Sequence, residues 1–154
     1  MDSFLVLHQA VFGGIAAAGF GVLFNVGPRL LLWCGAAGAV TLAVRTCCQQ
    51  LDWNLEGASF AAALTVSAAV QLLPARKEIS SVPLHVVGCI PMVPGSFAAR
   101  AILGLFAVST SRAENTSDVL LTSIEYTLRL VFTIGAIGTG LAIPALLMRG
   151  RTPR

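Results

Sequence analysis

Residues 89–96 read CIPMVPGS, two prolines three positions apart followed by a glycine, inside an otherwise apolar run. Pro91 and Pro94 each lack an N–H, and each ring clashes with a helical carbonyl one turn back, at a cost of about 3 kcal/mol or more in a regular helix. Gly95 adds freedom to unwind. One proline in such a run reads as a kink. Two prolines and a glycine favour a true discontinuity, in which one helix ends and another begins.

The surroundings identify the solvent. Of the 154 residues 56% are hydrophobic and only 11% charged, with a mean hydropathy of +0.82. A soluble domain carries about 25% charged residues, so lipid is the expected medium. Crossing a bilayer takes roughly 20 apolar residues, and five such runs are expected: 4–24, 30–48, 57–73, 84–108 and 119–148. The fold class expected is all-α, a polytopic membrane bundle of about five transmembrane helices with the fourth interrupted at the Pro-x-x-Pro-Gly break. Residues 1–154 are expected to form a single integral membrane domain.

The first run is preceded by Met1, Asp2 and Ser3, without the basic segment of a signal peptide, and is expected to stay in place. Cys34, Cys47, Cys48 and Cys89 lie within or at the ends of spans in no ligand spacing, which suits small packing residues and implies neither metal nor cofactor. The net charge of +3 is scattered among apolar segments, the opposite of a nucleic-acid-binding stripe. Its distribution instead sets orientation. Arg29, Arg76, Lys77, Arg149, Arg151 and Arg154 fall on one side of the expected bundle, against Arg112 alone on the other. By the positive-inside rule the N-terminus is external and the C-terminus cytoplasmic. Trp33 and Trp53 suit interfacial anchoring, and Ser117 and Asp118 are placed to cap the fifth span.

In lipid, helices associate through close van der Waals approach at small residues. Gly13, Gly14, Ala17, Ala18 and Gly21 supply these in the first span, and Gly35, Ala36 and Gly38 in the second. Ala58, Ala61, Ala62, Ala68 and Ala69 do so in the third, and Gly135, Gly138 and Gly140 in the fifth. A compact assembly is expected, either hetero- or homo-oligomeric, because at least three ionisable side chains within the spans need cover.

Counted from Leu84, the break begins seven residues in, or roughly 10 Å at 1.5 Å per residue. Irregular backbone at that depth is tolerated where protein or a watery cavity surrounds it. A half-helix starting near Gly95 or Ser96 presents unpaired N–H groups and a positive dipole end to an anion, with the Ser96 hydroxyl as a further donor. Arg100, five residues on, is placed to neutralise a carboxylate. Glu125 and Arg129 have the favourable four-residue spacing with the acid first. Intramembrane charges are functional candidates by default. Arg45 is expected to snorkel to the outer surface, and His85 reads as a packed or solvated residue.

The stretches FNVGPRLLLWCGAAGAV (24–40), IPMVPGS (90–96) and GTGLAIPALL (138–147) together resemble the small, YjjB-type subunit of split threonine/serine exporter-like proteins, in order and spacing over nearly the whole chain. The resemblance implies export of threonine and serine or of C4 dicarboxylates such as succinate, from the bacterial inner (cytoplasmic) membrane. It also implies a larger membrane partner subunit. Phe24, Asn25, Pro28 and Arg29 carry the first motif, and Pro91, Pro94 and Gly95 the second. Gly27 departs from the pattern by standing between valine and proline. Arg100, Glu125 and Arg129 match no family motif.

Two other classes compete with transport. A structural or assembly subunit would need only the small-residue packing. An intramembrane enzyme is disfavoured, because Ser96 and His85 are eleven residues apart across two prolines, with no HExxH or GxSxG.

Overall fold

The computed structural model describes residues 2–72, 81–110 and 116–149. Arg76, Lys77, Arg112, Arg151 and Arg154, which carry most of the orientation argument, lie outside them. The described residues are helical almost throughout: α1 Ser3–Leu23, α2 Pro28–Gln50, α3 Leu55–Leu72, α4 Ser81–Cys89, α5 Gly95–Ser109 and α6 Thr116–Arg149, with a 3₁₀ turn at Ile90–Met92. Four helices are long and apolar enough to cross a membrane, and a fifth span arises if the pair on either side of the break counts as one. The fold is the polytopic helical bundle that the apolar runs predict.

The turns are encoded locally. At the end of α1 the Val26 N–H donates to the Gly21 carbonyl and the Asn25 N–H to that of Val22, both at 2.9 Å. Asn25 between them adopts φ 55°. This is a Schellman closure with asparagine, which tolerates the left-handed region, in the place usually held by glycine. Pro28 then opens α2, where its missing N–H costs nothing. The family-like residues Asn25 and Pro28 thus build a tight α1–α2 turn. α2 ends the same way, with Asp52 at φ 61° and the Trp53 N–H on the Cys48 carbonyl at 3.2 Å. Asn54 caps α3, its Oδ1 accepting from the Gly57 N–H at 3.0 Å. Ser117 and Asp118 differ from expectation: α6 already begins at Thr116, so both lie inside its first turn, where Asp118 complements the positive end of the helix.

Two compact units are present, Met1–Met92 with Ala136–Arg154, and Val93–Gly135. In the first unit α1 and α2 meet through glycines. A Cβ on Gly13 would stand 2.8 Å from the Gly38 carbonyl, and one on Gly38 would collide with Ala17. Gly88 of α4 lies against Ala37 of α2 with equally little room, at 2.8 Å from an added Cβ to that of Ala37. The last part of α6 joins α3 in the same manner. An added Cβ on Gly140 would lie 2.7 Å from the Phe60 carbonyl, and the Ser67 hydroxyl donates to the Leu141 carbonyl at 2.9 Å. Gly135 and Gly138 differ from the other small residues, with nothing within 4 Å of an added Cβ. Two apolar clusters fill this unit, one of Ala17, Cys34, Ala37, Val66, Val70, Leu84 and Val87 and the other of Ala62, Ala63, Cys89, Met92 and Ile137. Cys34 and Cys89 are therefore packing residues.

The second unit is the hairpin of α5 with the first part of α6. Gly104 lies directly against Ser123, whose hydroxyl turns back to the Val119 carbonyl at 2.6 Å. Only Pro94, Ala101, Ser123 and Thr133 are buried among its described residues, while Ile102, Leu103, Phe106, Leu121 and Phe132 are each at least 60% exposed. A hairpin so apolar on its outside requires lipid or protein around it.

Candidate functional site

The helix breakers act as their chemistry dictates. α4 stops at Cys89, Ile90–Met92 tighten into a 3₁₀ turn around Pro91, and α5 restarts at Gly95 with Pro94 as its N-cap. In a continuous helix the Met92 carbonyl would accept from the N–H four residues later. Here it accepts instead from Arg45 Nη1, at 3.0 Å. Arg45 sits five residues before the end of α2, Gln50, and is half-buried. It does not snorkel to the surface as the sequence suggests. The physical reason is that the fully buried Met92 would leave an orphan carbonyl, which a guanidinium satisfies better than lipid does.

The start of α5 is less open than a bare helix terminus. The Gly95 N–H turns back to the Val93 carbonyl at 2.8 Å, and those of Phe97 and Ala98 both reach the Pro94 carbonyl, at 3.0 and 3.3 Å. Gly95 and Ser96 are exposed, and a Cβ added to Gly95 meets nothing within 4 Å. The Ser96 amide is the one of these first four without a described carbonyl partner.

Within the second unit, Arg100 Nη1 donates to the Tyr126 hydroxyl at 3.0 Å, and its guanidinium carbon lies 5.5 Å from the centre of the same ring. Phe97 stacks on Tyr126 from a centroid distance of 5.7 Å. The three side chains clip α5 to α6 by hydrogen bonding, cation–π attraction and stacking. Arg100 and Tyr126 border a concavity of about 300 Å³ lined also by Gly104, Asp118, Val119, Thr122 and Ser123. Arg129 Nε donates to Glu125 Oε1 at 3.1 Å, with 49% and 61% of the two side chains exposed. This is the i, i+4 pair the spacing predicts. α6 is 34 residues long, roughly 51 Å, against an apolar core of about 30 Å. A span of about 20 residues ending at Leu147 would place Arg129 at its edge and Glu125 beyond it.

The candidates therefore fall into two sets. Phe24, Asn25, Pro28, Arg29 and Pro91 belong to the first unit, and Pro94, Gly95, Ser96, Arg100, Glu125 and Arg129 to the second. In the first set, Phe24, Asn25 and Gly27 line a concavity of about 450 Å³ with Val86 and Val87 of α4, so the turn motif faces the helix that leads into the break. Arg29 is exposed beside it. Tyr126 went unnoticed in the sequence, although its position one after Glu125 on a helix with polar residues at every turn was a usable signal. Arg45 was visible as a charge, but its target, a carbonyl 47 positions away, was not.

No solved structure matches the chain. The sequence profile of the family described as "Threonine/Serine exporter, ThrE" matches residues 9–147. That stretch takes in the Asn25 turn, Arg45, the break and both α6 segments that pack in the two units, and the chain accordingly belongs to this exporter family.

Proposed function

We propose that this chain is one subunit of a secondary exporter for a small carboxylate-bearing metabolite, either threonine or serine or a C4 dicarboxylate such as succinate. It works beside a larger membrane subunit in the bacterial inner membrane, with its N-terminus external and its C-terminus cytoplasmic. The observation that carries the reading is the interruption of the fourth span between Cys89 and Gly95, with its freed Met92 carbonyl held by a cationic side chain. Discontinuous helices of this kind line substrate sites in transporters, where half-helix ends and unwound backbone contact the cargo. Membership in an exporter family supports the same direction. The apolar exterior of the α5–α6 hairpin suits lipid or a partner helix, and the assembly is a hetero- or homo-oligomer in this reading.

Replacing Pro91 and Pro94 together with alanine tests this. Alanine is a better helix former than proline by about 3 kcal/mol per residue, so the span should close while expression and assembly hold or improve. Export, read as substrate accumulation outside cells, should fall at least tenfold. Undiminished export would make the break a packing kink, and the chain a structural subunit of its complex.

A further inference from the structure

We infer that Arg45 is an anion-binding residue of this subunit, receiving a carboxylate on the edge of its guanidinium that faces away from Met92. The inference rests on the exporter reading above and deepens it.

Among the described residues the one ion pair is Glu125 with Arg129, and Arg45 has no carboxylate partner. Its single hydrogen bond uses Nη1, directed to the Met92 carbonyl, whereas Nε is buried and meets no acceptor. A guanidinium offers carboxylates a side-on fork made of Nε–H and the Nη2–H beside it. That edge is the one the Met92 contact leaves unused. A buried donor on an uncompensated charge costs several kcal/mol, and such orphans in a folded protein call for a missing ion, ligand or water.

A second, independent observation marks the same level. Ser59 is fully buried and its hydroxyl has no partner. Arg45 lies five residues before the end of α2 and Ser59 four residues after the start of α3. These are depths of roughly 7.5 and 6 Å along two helices joined by a short turn. Arg45 Nε and Ser59 Oγ, two of the unsatisfied buried polar atoms, thus stand at similar depth on consecutive helices. Arg45 supplies charge and a fork, and Ser59 a neutral donor, a set that fits one small carboxylate. Arg100 lies in the other unit, where it bonds to Tyr126.

The test uses the exporter purified in nanodiscs with the subunits that co-assemble with this chain, titrated calorimetrically with L-threonine, succinate and L-threoninamide. The wild type should bind at least one of the two acids and discriminate against the carboxamide. Arg45→Gln deletes the charge and keeps a polar side chain at the position. It should weaken binding of the acid at least tenfold and abolish the discrimination between acid and amide. Arg45→Lys, with charge but no fork, and Ser59→Ala should each lose several-fold, and they give the readout if the glutamine variant fails to assemble. A purely structural latch, or a water filling the space, leaves the acid-to-amide ratio unchanged. Wild-type affinity in Arg45→Lys and Ser59→Ala, or an unchanged ratio in Arg45→Gln, overturns the inference while leaving the exporter reading intact. A wild type that binds neither acid overturns both.

Discussion

Arg45 Nη1 donates to the Met92 carbonyl across 3.0 Å, so a cation near the end of α2 holds open the backbone at which α4 gives way to α5. The contact joins a helix that is regular to one that cannot be, and it turns an orphan carbonyl into a satisfied one. Arg45→Met removes both the donor and the charge. With Met92 fully buried, the unpaired carbonyl should cost about 1–3 kcal/mol. A lowered thermal midpoint of the detergent-solubilised complex would register it, and an unchanged midpoint would mean that the carbonyl finds another donor.

The glycines of the first unit differ in consequence although they look alike in sequence. Gly38→Ala places a methyl group against Ala17 and within 2.6 Å of the Gly13 carbonyl, and prying α1 from α2 should cost about 1–3 kcal/mol. Gly138→Ala meets nothing within 4 Å and should be neutral or stabilising by up to about 1 kcal/mol, through helix propensity. Melting both variants side by side checks the contrast.

Arg100 keeps N–H groups beyond the one bonded to Tyr126 and lines the hairpin concavity. Arg100→Gln should reduce export of a dianion such as succinate about tenfold and of zwitterionic threonine less, since a doubly charged acid gains more from a cation lining the concavity. Tyr126→Phe, which removes the hydroxyl but leaves the ring contact, should change either rate only about two- to threefold. Equal losses for both substrates in Arg100→Gln would assign the side chain to packing.

Orientation is tested by single cysteines at positions 3, 53 and 152, in a background where Cys34, Cys47, Cys48 and Cys89 are replaced. Impermeant maleimide applied to intact cells should label positions 3 and 53 and spare 152. Labelling of position 152 alone would invert the topology.

The sequence by itself determined the medium, the number of helices and the place of the break. These are local or compositional properties. Sparse charge demands lipid, apolar runs of about 20 residues define spans, and Pro91, Pro94 and Gly95 together make a continuous helix costly there, whereas the lone Pro144 is carried inside α6. The turns were equally local, as Asn25 and Asn54 show, each closing or capping a helix with its own backbone neighbours. The Glu125–Arg129 pair also follows from spacing alone.

What only the tertiary structure decided is where the long side chains go. Arg45 sits in a run whose own sequence offers it no partner, and the nearest interface made snorkelling the cheaper local solution. Packing of α4 along α2, permitted by Gly88 against Ala37, instead brings a freed carbonyl within its reach, and a buried hydrogen bond outweighs solvation at a distance. The same holds for Arg100, whose partner Tyr126 is 26 positions away and is met only because α5 and α6 fold back on each other. It holds as well for the glycines, since Gly140 packs and Gly138 does not, a difference set by which face of α6 meets α3.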